Sequence, residues 1–338
     1  MTAGAKTTPL VEVRNLRVKL RTSRGLVEAI RDVSFSLERG ETLGLIGESG
    51  CGKSVTAMAL MGLLPDSAEI TGSIRLAGRE LVGLSEPEYC KLRGNGISMI
   101  FQEPMTALNP MHTIGRQVAE PLLRHKGCSA TEARREAIAL LDRVGLPDAA
   151  RRVDAYPHQF SGGQRQRVTI AMALACQPDV LIADEPTTAL DVTIQGQILD
   201  LIADLVAERG MSMILISHDL GVIAENVQKM MVMYGGTVVE DGATDTVFAR
   251  MGHPYSQGLF SARPRLGAPR GTRLQTIAGM VPELADMPTG CAFADRCGLA
   301  EDRCRDIFPP PVQVGTGHAV RCLRTDVSMA DAVEAVNA

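Results

Sequence analysis

Residues 47–54 read Gly47-Glu48-Ser49-Gly50-Cys51-Gly52-Lys53-Ser54, a match to G-x-x-x-x-G-K-[ST] at every fixed position. Thr42-Leu43-Gly44-Leu45-Ile46 before it is a short apolar run that reads as a buried strand, and Val55-Thr56-Ala57-Met58-Ala59-Leu60 after it reads as a helix. Strand, loop and helix in that order make this a phosphate loop rather than a chance glycine-rich turn. The glycines let successive N–H groups curl inward and the helix start adds partial positive charge, which together suit a polyphosphate. The motif sets Lys53 to reach the β- and γ-phosphates and Ser54 to ligate Mg2+. An α/β protein with a phosphate-loop core is expected.

Val180-Leu181-Ile182-Ala183 reads as a second buried parallel strand that delivers Asp184 and Glu185 at its carboxyl end, where open α/β sheets bind ligands. In phosphate-loop ATPases one such acid supports Mg2+ and a neighbouring polar group orients or deprotonates the attacking water. Asp184 is assigned to the metal and Glu185 to the water.

Phe160-Ser161-Gly162-Gly163-Gln164-Arg165 separates one ATPase family from the other phosphate-loop proteins. With it the chain resembles the nucleotide-binding subunit of an ABC transporter, whose signature is Ser161-Gly162-Gly163-Gln164. Other family positions fall in order: a Q-loop glutamine at Gln102, a D-loop at Ala189-Leu190-Asp191, and a switch histidine at His218 in Ile216-Ser217-His218-Asp219. The resemblance covers about 250 residues and implies a RecA-like ATPase core with an N-terminal antiparallel β subdomain and a helical insert. It implies that ATP and Mg2+ are bound by residues 47–54 with Asp184 and Gln102 at the metal, and that His218 holds the γ-phosphate. Physically, Ser161 and two flexible glycines open a helix from Gln164 to Leu174 and form a second anion-binding turn. The resemblance implies that two cassettes pair head to tail, the signature of one closing over the nucleotide of the other. One departure stands out, because no aromatic residue lies between Val18 and Ser34, where the family stacks adenine. Arg24 or Val27 is expected to cover the base, although Arg24 fits equally well as a charge at a hairpin tip.

A length of 338 residues with 45% hydrophobic content suits two units with a sizeable core. The formal net charge of -4, absence of Trp and 3% aromatic content argue against a general nucleic-acid binder. Arg134-Arg135 and Arg151-Arg152 then read as solvated helix faces. No apolar run approaches the roughly twenty residues that span a bilayer, and Met1 to Pro9 lack a signal-peptide core. A cytosolic chain that reaches the membrane through partners is expected.

Leu10–Leu20 and Leu26–Leu37 read as antiparallel strands around a turn at Ser23-Arg24-Gly25. Residues from about 103 to 160 hold helical patterns at Ile114–Arg124 and Thr131–Val144, the second opening on Ser129 with Glu132 at capping-box spacing. By resemblance this is the helical subdomain that contacts membrane subunits. Met105, Leu108 and Met111 are candidates either for the groove that receives them or for local core.

Four of the eight cysteines, Cys291, Cys297, Cys304 and Cys322, gather in the C-terminal region with intervals of five, six and seventeen residues. Clustered cysteines in a cytosolic protein point to metal or redox chemistry, and these intervals alone name no metal. His253-Pro254-Tyr255-Ser256, residues Gly290 to Cys297 and Arg303-Cys304 resemble the C-terminal extension of oligopeptide and dipeptide importer ATPases. That resemblance favours a [4Fe–4S] cluster on the four thiolates, with zinc as the alternative, in a structural or regulatory role. Arg296, Arg303, Arg305 and Arg321 are expected to offset the thiolate charge, and Cys51, Cys90, Cys128 and Cys176 to carry no chemistry.

The expected protein is the ATP-hydrolysing motor of an ABC importer, with a cassette at 1–250 and an extension at 251–338. The resemblance implies a second ATPase subunit, favouring a different chain over a second copy, two membrane permeases and an extracytoplasmic receptor. It implies peptide uptake from the cytoplasmic face of the bacterial inner membrane, with nickel or another small solute as an alternative. A DNA-repair ATPase would need a long coiled coil between Gln102 and Ser161, and a translation factor a second cassette; the sequence has neither.

Overall fold

Apolar residues on β1 (Val11–Thr22) alternate with exposed ones, and the alternation slips from Val11 and Val13 to Leu16 and Val18. The slip follows from a bulge at Asn15, whose φ of 48° breaks the register with the next strand. These are features of a computed structural model that describes residues 8–188, 190–262 and 276–324. β2 (Gly25–Leu37) returns antiparallel to β1 through the expected turn, and β3 (Thr42–Ile46) then runs into α1 (Lys53–Met61). β4 (Glu69–Leu76), β5 (Arg79–Glu80) and α2 (Glu86–Leu92) follow, giving a first sheet in the order β2-β1-β4-β5. One face of this sheet carries Leu16, Val18, Ile30 and Val33 into the core, each worth roughly 1.5–3 kcal/mol by burial.

β6 (Ile97–Ile100) returns the chain to the core, and the helical layer comes next: α3 (Pro104–Ala107), α4 (Ile114–His125), α5 (Ala130–Arg143) and α6 (Ala149–Arg152). Ser129 and Glu132 form the capping box expected at the start of α5, satisfying two otherwise orphaned backbone donors. Ile114, Val118, Leu122, Ala133, Ala137 and Leu141 close this layer onto α7 (Gly162–Leu174). Leu108 is 2% exposed and belongs to this core, so it leaves the set of groove candidates; Met105 at 57% and Met111 at 79% stay on the surface. The α3–α4 turn is pinned by Gln117, whose Nε2 donates to the carbonyls of Asn109 and His112 on either side of the exposed Met111.

β7 (Val180–Asp184), α8 (Val192–Arg209), β8 (Ser212–Ser217), α9 (Leu220–Asn226), β9 (Lys229–Tyr234) and β10 (Thr237–Ala243) complete the core. β6, β7, β8, β3 and β9 are mutually parallel and buried along almost their whole length, as strands covered on both faces must be. After α10 (Thr244–Ala249), α11 (Pro254–Ser261) and α12 (Asp302–Asp306), β11 (Val312–Gly315) and β12 (His318–Val320) extend this same sheet. Its order is β11-β12-β10-β9-β3-β8-β7-β6, so the C-terminal region shares the core sheet.

A buried carboxylate fastens that junction. Glu240 on β10 accepts from His318 Nε2 at 2.8 Å, Gly252 N at 2.6 Å and His253 N at 3.1 Å. Burial pushes the His253 imidazole down to about 4 against the opposing pull of Glu240, and its neutral Nδ1 accepts from Tyr255 N to cap α11. Among the described residues no helix is long and apolar enough to cross a membrane.

Candidate active site

The phosphate loop joins the end of β3 to α1. Gly47 has φ of 156°, and a Cβ there would lie 2.2 Å from the Met233 carbonyl oxygen, so only glycine lets the loop pass over β9. Gly52 caps α1 in the left-handed region with no side-chain cap, which leaves the first-turn N–H groups for an anion. Lys53 is 5% exposed. Its Nζ donates to the carbonyls of Gly47 at 2.7 Å and Glu48 at 3.2 Å and lies 3.7 Å from Cys51 Sγ. An ammonium held across the loop suits contact with two phosphates.

The acid pair comes to the same end of the sheet. Ser54 Oγ donates to Asp184 Oδ1 at 3.2 Å, bringing together the two groups expected at Mg2+. Burial raises the pKa of Asp184; the Ser54 bond opposes it, and the neighbouring Glu185 charge adds to it. Two adjacent carboxylates of this kind are relieved by a divalent cation, and serine hydroxyl plus carboxylate is an oxygen set that Mg2+ accepts.

Glu185 turns back through a left-handed φ of 45°, a strained conformation for a non-glycine residue. Its Oε2 accepts from Gln102 Nε2 at 3.1 Å and from Thr188 Oγ1 at 2.9 Å, and lies 3.2 Å from His218 Nδ1. Three positions separate in sequence thus converge on one carboxylate oxygen. Thr188 escaped the sequence reading because a threonine after an acidic strand end carries no motif of its own.

Ser161 is the N-cap of α7, accepting from Gln164 N while Gln164 Oε1 accepts from Ser161 N, a capping box inside the signature itself. Gly162 and Gly163 form its first turn. Arg152, expected on a solvated face, instead lies 4.2 Å over the Phe160 ring and donates to Gln164 Oε1 at 3.3 Å. Arg134 on the neighbouring helix forms a forked pair with Asp154. Of the D-loop, Leu190 and Asp191 lie at the start of α8, and Ala189 is outside the described residues.

Arg24 sits at the hairpin tip with its guanidinium committed to Asp286 and Glu283 of the C-terminal region, so it serves as the tip charge. Val27 is buried in β2.

Cys291, Cys297, Cys304 and Cys322 line a single small cavity of about 20 Å³, walled by Pro254, Phe293, Leu299 and Leu323. Three sulfurs receive a backbone N–H from two residues onward: Cys291 from Phe293, Cys297 from Leu299 and Cys322 from Arg324. Burial and the neighbouring sulfurs push Cys291 up to about 12 and Cys297 to about 11. Among the described residues no group of three or more His, Cys, Asp or Glu side chains is drawn together at the spacing of a metal ion. The arginines expected to balance the thiolates are engaged elsewhere: Arg296 with Glu48, Arg303 with Glu301, Arg305 with Asp295 and Arg321 with Asp32. The guanidinium at the cavity is that of Arg324.

A phosphate loop, a strand-end acid pair and a signature-capped helix on one sheet define an ATP-hydrolysing cassette. Residues 30–188 match the family described as ABC transporter, and residues 239–304 match the oligopeptide/dipeptide transporter C-terminal region. A provisionally named peptide import ATP-binding protein of Brucella melitensis is 50% identical over 328 residues, covering 94% of this chain and 97% of its own. A protein of the same provisional name from Brucella abortus is 51% identical over 324 residues, covering 95% and 97%. The solved ATP-binding cassette MJ0796, a dimer bound to ADP and Pi, has a TM-score of 0.62 at 28% identity, covering 69% of this chain and 98% of its own. CbiO1 of Clostridium perfringens, part of the ABC transporter complex cbiONQ, has a TM-score of 0.59 at 27% identity, covering 71% and 91%. The chain belongs to the ABC transporter family and is its ATP-hydrolysing subunit.

Proposed function

We propose that this ATPase drives uptake of dipeptides or oligopeptides across the bacterial inner membrane, working at the cytoplasmic face on two permease subunits fed by an extracytoplasmic receptor. The observation that carries this reading is the match of residues 239–304 to the oligopeptide/dipeptide transporter C-terminal region, joined to near full-length likeness to proteins named for peptide import. Nickel or another small solute is the alternative cargo. Residues 1–250 form the motor and residues 251–338 the extension.

In the motor, residues 47–54 cradle the polyphosphate and Lys53 reaches its β- and γ-phosphates. Ser54, Asp184 and Gln102 would hold Mg2+, which would neutralise charge on the phosphates when bound. Glu185 orients and accepts the proton of the attacking water, and His218 supports the γ-phosphate. Capture of ATP requires Glu185 to exchange its contacts with Gln102 and His218 for the water. Ser161–Gln164 closes on the nucleotide of a second cassette, a reading supported by the dimer reported for MJ0796. The partner cassette is a different chain rather than a second copy.

We read the four cysteines as the ligands of a [4Fe–4S] cluster, with zinc as the alternative. A lone zinc draws four sulfurs to within about 2.3 Å of one point, whereas a cluster keeps its ligands apart around a larger body and takes N–H bonds at sulfur. Burial disfavours the thiolate forms of Cys291 and Cys297, so a bound cation would supply the charge that ionises them. Its role is structural or regulatory.

The cargo is tested in the parent organism carrying Glu185→Gln. Uptake of labelled di- and tripeptides falls to background while nickel uptake is retained. Loss of nickel uptake alone reassigns the cargo.

A further inference from the structure

Glu48 is the one acid of the phosphate loop, and a carboxylate there repels the several negative charges of a nucleotide. The fold answers it from 248 residues away. Arg296 Nη1 and Nη2 reach the two Glu48 oxygens at 2.6 and 3.2 Å in a forked pair. The Arg296 side chain is 5% exposed. It is held by donation to the carbonyl of Ala278 at 2.9 Å and to Tyr234 Oη at 3.3 Å, between the Tyr234 and Phe293 rings. The backbone of the same residue is tied as well, since Glu48 N donates to Tyr255 Oη at 2.8 Å. Tyr255 is fully buried against Tyr234 and Phe293. Burial works against the Arg296 charge, and the bonds to Glu48 and Tyr234 more than restore it.

We propose that Arg296 is a positioning residue of the ATP site, which neutralises Glu48 and fixes its side chain so that the phosphate loop accepts a polyphosphate. The C-terminal region is then part of the nucleotide site in the same chain. Phe293 also walls the four-cysteine cavity, so the support of the loop and that of the cavity share one aromatic cluster.

Binding of a fluorescent ATP analogue with Mg2+ to the full-length chain tests this. Arg296→Met is expected to weaken binding about tenfold, and in hydrolysis the loss falls on KM rather than kcat. Glu48→Gln introduced into Arg296→Met removes the uncompensated charge and returns affinity to within about threefold of Glu48→Gln alone. Arg296→Lys, which keeps the charge without the fork, recovers part of the loss. Unchanged affinity in Arg296→Met overturns the proposal. So does a double variant as weak as Arg296→Met, because lost packing would not be rescued by neutralising Glu48.

Discussion

Gln102 Nε2 stands 3.1 Å from Glu185 Oε2, across 83 residues of chain, and His218 Nδ1 stands 3.2 Å from the same oxygen. The edge strand β6 and the central strand β8 flank β7 and deliver these side chains to its end. On the proposed roles a γ-phosphate and its water enter this cluster, so the three side chains are already assembled but closed on one another.

Glu185→Gln keeps an acceptor for Thr188 and removes the proposed base. Hydrolysis in the assembled transporter should fall by about 10²-fold or more, with ATP retained on the protein in a filter-binding assay. Turnover near that of the parent would remove Glu185 from this role.

Lys53→Ala deletes the ammonium that spans Gly47 and Glu48. Charged hydrogen bonds of this kind contribute about 1.5–3 kcal/mol, so nucleotide affinity should drop about 10- to 100-fold. Calorimetric titration with Mg-ATP measures it, and an undiminished affinity rules out the phosphate contact.

Arg152→Ala strips the Phe160 ring and Gln164 of their shared support. If the signature serves the facing nucleotide as proposed, ATP affinity of an isolated cassette should hold while ATP-induced pairing, read by light scattering, weakens about three- to tenfold. Equal pairing would make Arg152 a surface residue after all.

Cys297→Ser takes one sulfur from the cavity shared with Cys291, Cys304 and Cys322. After anaerobic purification, iron and sulfide should fall well below the parent's value and the visible absorbance with them. Iron unchanged from the parent argues against the cluster; one zinc in the parent selects the alternative.

Leu108→Ala and Met111→Ala separate core from surface within three residues. The first should cost about 2–5 kcal/mol of stability and the second less than about 0.5, read as denaturant midpoints.

The sequence alone settled the phosphate loop, the apolar strand ending in Asp184-Glu185, the signature and the capped helix at Ser129, because each is written in contiguous residues whose backbone conformation is local. The period of the apolar residues placed β3, β7 and α5 to within a residue or two for the same reason. Only the tertiary structure decided that Leu108 is core, that Arg24 answers Asp286 and Glu283, that Arg152 covers Phe160 and that Arg296 belongs to Glu48 rather than to the thiolates. A long, flexible cation can meet any acid within its reach, and which acid that is depends on how distant strands stack into one sheet.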